Sequence, residues 1–169
     1  GDRIEHGGIA SDELVAQCAQ LGLAVVSQPH FIAERGDQYL RDVEPDQHAH
    51  LYRLAAFSRA GVTLAGGSDA PYGSCDPWAA MRAAVARKTS GGQIIGADEA
   101  LTPEQALDLF LKHPMQLAQT RTIAVGAPAD VVLLDRSWQQ ARNSLSADHV
   151  RMTMIDGSIR HQRVDQTPF

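Results

Sequence analysis

The chain has 169 residues, of which 44% are hydrophobic, and this is enough apolar material for a core that needs neither disulfides nor a structural metal. The formal net charge is -5 and the basic residues are scattered, which excludes the electrostatic pattern of proteins that bind nucleic acid or anionic membranes. No apolar run approaches the roughly 20 residues of a membrane span, and the N-terminal residues predict no export signal. Two cysteines, Cys18 and Cys75, form neither a disulfide framework nor a paired metal motif. We therefore expect a cytoplasmic protein with two free thiols and a small-molecule partner.

Strands and helices alternate over residues 1–88, which is typical of an α/β fold. The strand-like segment DRIEH, on which the chain begins, is followed by a helix after Ser11, an apolar strand at 23–28, a polar loop at 29–45, a helix at 46–60, a strand at 62–66 and a helix after Asp76. Such alternation predicts parallel strands joined by right-handed crossovers, so that all strands end at the same edge. We therefore expect His6, Gln28 and Asp69 to line one rim, in a chain that starts within a longer fold.

The pattern changes in the last part of the chain. The sequence TPEQ has the spacing of a capping box and predicts a helix over PEQALDLFLKH, with a second short helix after Pro114. Beyond it, VVLLD predicts a short strand, and Asp156 with Gly157 predicts a two-residue hairpin between two more strands. The chain is therefore expected to divide into a parallel α/β part, residues 1–122, and an antiparallel β part, residues 123–169.

An acidic residue, Asp69, comes just after the apolar strand at 62–66, at the edge where parallel α/β folds place ligand chemistry. Together with Pro71 it also fits a simple turn, so Asp69 alone is open to both interpretations. His6 ends the first strand in the same way. An imidazole and a carboxylate that face one cavity are the ligand types of a catalytic zinc site, which makes the two residues candidates for a shared metal.

Seven segments of the chain carry a resemblance to a known family. They are RIEH, VVSQPH, LYRLAAFSRAGVTLAGGSDAP, DPWAAMRAAVAR, LTPEQALDLF, VGAPADVVLLD and VRMTMIDGSIR. In order and spacing they resemble the C-terminal part of the amidohydrolase superfamily, in the branch of N-substituted formamide deformylase. The resemblance implies a metal-dependent hydrolase with a (β/α)8 TIM-type barrel, of which residues 1–122 hold strands six to eight. Residues 123–169 then correspond to a segment of a small β-sandwich.

The resemblance also implies roles for four residues. His6 matches a histidine that binds the metal at the end of strand six. Asp69 matches the strand-eight aspartate, which binds metal and handles the proton of the attacking water. Gln28 and His30 lie at the end of strand seven and are expected to contact substrate, although His30 also fits a structural loop position after Pro29. The implied cofactor is a divalent metal ion, with zinc as the expected ion.

Other parts of the family's ligand set have no counterpart in this chain. The paired histidines of strand one, the strand-four ligand and the strand-five histidine are absent. The HAH sequence at His48 to His50 imitates the paired histidines, but it lies in a predicted helix, where residues two apart point to different faces. We therefore interpret His48 and His50 as solvent-facing or packing residues.

Two functional hypotheses remain. In the first, the chain is the C-terminal part of a hydrolase that cleaves a C–N bond of an amide-like substrate by a metal-activated water. The fragment alone is then inactive, because the remainder of the barrel or a second chain must complete the site. In the alternative, the chain is a non-catalytic fragment or degenerate module that associates with a partner chain. An α/β hydrolase with a serine nucleophile is disfavoured, because Pro71 occupies the place of the second glycine in the G-x-S-x-G motif.

Overall fold

Three short parallel strands form the first sheet in a computed structural model of the protein, which describes residues 2–164. They are β1 (Arg3–Glu5), β2 (Ala24–Ser27) and β3 (Thr63–Gly66), and they pair in that order. Glu5 lies opposite Val26, which in turn lies opposite Ala65, so the three strands end together at one edge. The α/β alternation and the parallel pairing predicted from the sequence are confirmed.

Helices connect and follow these strands. They are α1 (Asp12–Gln20), α2 (His30–Asp42), α3 (Leu54–Arg59), α4 (Pro77–Ala86) and α5 (Pro103–Asp108). Ser11 begins α1 and Asp76 begins α4, each accepting a backbone N–H of the first turn with a side-chain oxygen. Thr102 and Gln105 form the predicted reciprocal capping box at the start of α5. Local capping chemistry therefore defines where these three helices begin.

The segment after Pro29 is a helix, and the predicted polar loop at 29–45 is wrong. The helix α2 has no side-chain cap at its N-terminus, which removes the usual local signal for a helix start. Its apolar residues instead form two adjacent pairs, eight positions apart, that face the interior: Phe31 and Ile32 are buried, and Tyr39 and Leu40 pack against the same core cluster. Burial of this face therefore stabilises a helix that lacks a capping residue.

The single helix predicted at 46–60 is divided into two pieces. A 3-10 helix spans Pro45–His50, α3 starts at Leu54, and Tyr52 between them has a left-handed backbone with φ 48°. The cause lies far away in the sequence. The buried guanidinium of Arg87 donates to the carbonyl oxygens of Leu51 and Tyr52 at 2.7 and 2.8 Å, which takes both carbonyls out of a continuous helix.

The short helix predicted after Pro114 is also wrong. A pair of antiparallel strands takes its place, β4 (Lys112–His113) and β5 (Gln116–Thr120). Lys112 ties the pair together, because its Nζ donates to Thr120 Oγ1 at 3.1 Å and lies 2.7 Å from the carboxylate of Asp108.

The chain divides into two units at Thr120/Arg121, two residues before the predicted boundary. The second unit is an antiparallel sheet of β6 (Val131–Leu134), β7 (Val150–Ile155) and β8 (Ser158–Gln162), with the short helix α6 (Trp138–Ala141) after β6. The predicted hairpin between β7 and β8 is confirmed, since Asp156 and Gly157 both have positive φ. Residues 165–169 of the predicted β part lie outside the described residues. Within residues 2–164, no helix is long and apolar enough to cross a membrane.

Candidate metal centre at the carboxyl edge of the parallel sheet

Three of the candidate residues follow the three parallel strands. His6 comes directly after β1, Gln28 directly after β2, and Asp69 three residues after β3. The strand order places Gln28 on the central strand and the other two residues on either side of it. Ligands of parallel α/β proteins bind at this carboxyl edge, so the sheet brings the candidates to the chemically relevant end.

Gln28 orients the imidazole of His6. Its Oε1 lies 2.9 Å from His6 Nδ1, and its Nε2 donates to Val26 O at 3.4 Å, which turns the amide oxygen toward the ring. Because an amide oxygen can only accept, Nδ1 carries the proton and Nε2 presents its lone pair. Gln28 is 2% exposed, whereas His6 is exposed. A histidine whose second nitrogen donates to a buried carbonyl oxygen is the usual arrangement of a metal ligand.

His6 and Asp69 share an unusual backbone conformation. Their φ angles are 71° and 51°, in the left-handed region that non-glycine residues rarely adopt. Bonds to β2 hold His6, whose N–H donates to Val26 O at 2.8 Å and whose carbonyl accepts Ser27 Oγ at 2.9 Å. Such conformations persist only when neighbouring structure enforces them, and they cluster at functional sites.

Asp69 lies in an exposed turn, within a segment that we call the Asp69 loop (Ser68–Ser74). Its carbonyl accepts the N–H groups of Tyr72 at 2.8 Å and Gly73 at 3.2 Å. Asp69 is exposed, and it follows β3 at the edge of the sheet where His6 follows β1. The carboxylate is therefore accessible to an ion or to water.

His30 begins α2 and contacts the Asp69 loop. Its Nε2 donates to Ser68 O at 3.1 Å, while its Nδ1 is buried without a hydrogen-bond partner among the described residues. The side chain is 1% exposed. A direct contact of His30 or Gln28 with substrate stays a prediction, because in this structure both side chains are buried and bonded to protein groups.

A cavity of about 220 Å³ opens beside the Asp69 loop. It is lined by residues of the β3 end, the loop and the start of α4, among them Gly67, Ser68 and Cys75, and also by His30 of α2 and Phe110 after α5. A larger cavity of about 420 Å³ lies between β3, α5 and β5, and none of the candidate site residues lines it. Of the four candidate residues, His30 lines the smaller cavity.

The donor set fits a divalent metal in kind but is small in number. His6 Nε2 and the Asp69 carboxylate are donors that suit zinc. Within residues 2–164, no group of three or more His, Cys, Asp or Glu residues is arranged to hold an ion. A catalytic zinc usually takes three protein ligands and a water. The described residues alone therefore do not form such a ligand set.

The HAH histidines lie elsewhere and make local contacts. His48 Nε2 donates to Val43 O at 2.8 Å, and His50 Nδ1 lies 3.3 Å from Gln47 Oε1. Both contacts stay within or next to the 3-10 helix, in agreement with the interpretation of these residues as solvent-facing or packing histidines.

Sequence reasoning missed Arg35, because it fell in the predicted polar loop. In the structure Arg35 lies on α2 and donates from Nη2 to Tyr72 O at 2.8 Å, directly in the Asp69 loop. The pairs Phe31/Ile32 and Tyr39/Leu40, eight residues apart, are a weak periodic signal for a helix that would include Arg35.

Comparison with known proteins identifies the family of this chain. The sequence matches the profile described as "Amidohydrolase family" over residues 1–161. It is 30% identical to N-substituted formamide deformylase of Arthrobacter pascens, over 95% of this chain and 31% of the relative. It is 26% identical to the putative amidohydrolase YtcJ of Bacillus subtilis strain 168, over 96% of this chain and 32% of the relative.

A solved structure supports the same grouping. An uncharacterized metal-dependent hydrolase from Pyrococcus horikoshii OT3 is 27% identical, with a TM-score of 0.56 over 64% of this chain and 22% of that chain. The chain spans about a third of the length of the two curated relatives. On the strength of the profile match over nearly its whole length, the chain belongs to the amidohydrolase family.

Proposed function

We propose that the chain is the C-terminal part of a metal-dependent hydrolase that cleaves a C–N bond of an amide-like substrate. The observation that carries the proposal is the His6–Gln28 pair, which presents a lone pair at the sheet edge where Asp69 also lies. The relative named as a formamide deformylase supports an amide substrate. In this proposal β1, β2 and β3 are strands six, seven and eight of a (β/α)8 barrel.

Each residue has a distinct role. His6 would hold a divalent ion through Nε2, and Asp69 through a carboxylate oxygen, with zinc the expected ion for this donor pair. When bound, such an ion polarises the substrate carbonyl and lowers the pKa of water toward 7. The Asp69 carboxylate accepts the proton of the attacking water and returns it to the leaving nitrogen. Gln28 keeps the imidazole of His6 in the tautomer that can bind metal.

Asp69→Asn in the full-length natural protein that contains this sequence tests the proposal. Asparagine keeps the size of the side chain but loses the charge and the proton acceptor. We expect kcat on N-formyl and other amides, with added zinc, to fall by at least about 100-fold. The melting temperature should change little, because Asp69 is exposed.

Asp46→Asn is the matched control, since Asp46 is an exposed carboxylate of the 3-10 helix at Pro45–His50. It should leave turnover unchanged. An Asp69→Asn protein that is fully active and equally metallated removes Asp69 from the mechanism.

The alternative, a non-catalytic module that associates with a partner chain, is favoured by one observation: the described residues supply fewer than three ligands. The sequence encoded upstream of this segment distinguishes the two hypotheses. A paired-histidine strand there supports the hydrolase, and a frame that lacks one supports the module.

A further inference from the structure

The Asp69 loop lies against the first two turns of α2. Two hydrogen bonds hold the ends of the loop: His30 Nε2 donates to Ser68 O at 3.1 Å, and Glu34 Oε1 accepts the N–H of Ser74 at 3.3 Å. The bond from His30 is well shielded from water, since that side chain is 1% exposed. One helix therefore holds the loop on both sides of Asp69.

Arg35 holds the middle of the loop through both the backbone and the ring of Tyr72. Its Nη2 donates to Tyr72 O at 2.8 Å. Its guanidinium carbon lies 3.8 Å from the centre of the Tyr72 ring and 5.4 Å from that of Phe31. The two rings meet edge to face, with centroids 5.6 Å apart. A planar guanidinium that stacks on an aromatic ring while it donates along its edge is a geometry that lysine does not reproduce.

These contacts act on Asp69 through two backbone hydrogen bonds. The N–H groups of Tyr72 and Gly73 both donate to the Asp69 carbonyl, so a fixed Tyr72 fixes the turn that begins at Asp69. The close packing of the loop on α2 also explains why residue 73 is a glycine, because a Cβ there would lie 2.6 Å from the ring of Phe31. The left-handed backbone of Asp69 requires such external support.

We propose that Arg35 is a positioning residue for Asp69, which it orients by clamping Tyr72 against α2. The proposal rests on the proposed function and deepens it, since it names the group that keeps the catalytic carboxylate in place. Arg35 acts through Tyr72 and has no role in the transfer of the proton itself.

Amide hydrogen exchange of the Asp69 loop in the full-length natural protein tests the clamp. Arg35→Met keeps a long side chain but removes the donor and the planar cation. We expect exchange at Tyr72 and Gly73 to accelerate by at least about tenfold, because a hydrogen bond from a charged group is lost. Arg41→Met is the matched control, since Arg41 lies on the same helix and, among residues 2–164, donates to Asp37 O of its own helix. It should leave exchange in the loop unchanged.

Steady-state kinetics test the consequence for Asp69. For Arg35→Met we expect kcat per metal-loaded protein to fall by about 10- to 100-fold with KM unchanged, since misplacement of a catalytic group costs on this order. A merely structural role would lower the melting temperature and leave kcat per metal-loaded protein intact. Tyr72→Leu tests the same clamp from the loop side, and because Tyr72 is 60% exposed this change leaves the core intact.

The outcomes separate the two proposals. Unchanged loop exchange in both Arg35→Met and Tyr72→Leu overturns the clamp, whatever the enzyme does. Faster exchange in the loop with unchanged kcat would overturn the proposal that Arg35 positions Asp69. A wild-type protein that hydrolyses no amide would contradict the proposed function. The exchange data would still decide whether Arg35 holds the loop.

Discussion

At the scale of single residues, the buried amide of Gln28 decides what His6 can do. The carbonyl of Val26 fixes the amide, the amide fixes the proton on His6 Nδ1, and Nε2 is left as the donor atom for an ion. In the proposed site, Gln28 would therefore raise the metal affinity without being a ligand.

Gln28→Leu in the full-length protein should weaken zinc binding by about 10- to 100-fold, the usual cost of losing the partner of a metal-binding histidine. Competition with a chromophoric chelator measures this affinity. Gln47→Leu is the control, because Gln47 makes a similar contact to His50 Nδ1 away from the site. Equal zinc affinity in wild type and Gln28→Leu would show that His6 does not depend on this amide.

At the scale of elements, α2 is fastened at two places. Its first turns hold the Asp69 loop, and farther along the helix Asp37 accepts Thr89 Oγ1 at 2.6 Å, Ser90 Oγ at 2.9 Å and the Gly91 N–H at 2.7 Å. The hydrogen bonds from Thr89, Ser90 and Gly91, in that order of importance, lower the pKa of Asp37 below its ordinary value. The stability that this second attachment contributes therefore depends on pH.

The sign of the pH effect follows from the lowered pKa. A carboxylate with a lowered folded-state pKa contributes stability that is present above its unfolded pKa of about 3.9 and is lost as the pH falls through the folded value. Asp37→Asn should therefore lower the free energy of unfolding at pH 7, and its difference from wild type should shrink below about pH 4. Urea unfolding at pH 7, 5 and 3 measures this, with the exposed Asp46→Asn as control. A difference that is constant over this range contradicts the assignment.

At the scale of the whole molecule, the number of ligands sets what the chain can do alone. In the proposed site His6 and Asp69 are two donors, and within residues 2–164 no group of three or more His, Cys, Asp or Glu residues is arranged to hold an ion. The curated relatives are about three times as long as the matched segment. The remaining ligands are thus proposed to lie in the rest of the barrel or in a second chain.

The isolated chain of 169 residues should bind zinc more than about 100-fold more weakly than the full-length protein. Loss of a residue that merely orients a ligand already lowers metal affinity by about 10- to 100-fold, and loss of whole ligands should lower it further. It should also show no metal-dependent turnover of amides. Calorimetric titration and the same amide panel test both expectations. Tight zinc binding with turnover by the isolated chain would overturn the ligand count.

What the sequence by itself determined is local or periodic. Ser11, Asp76 and the Thr102–Gln105 box predict helix starts because their side chains cap the adjacent backbone, and Asp156–Gly157 predicts its hairpin because both residues tolerate positive φ. The alternation of strands and helices predicts parallel pairing, and hence the shared edge of His6, Gln28 and Asp69.

Only the tertiary structure decided the features that depend on distant partners. Arg87 donates to the carbonyl oxygens of Leu51 and Tyr52, which are 36 and 35 residues away, and this interrupts a helix that the local pattern favours. Burial of one face makes α2 a helix in spite of its uncapped start. The tautomer of His6 and the clamp by Arg35 likewise depend on contacts 22 and 37 residues apart, and such contacts leave no periodic or capping signal in the sequence.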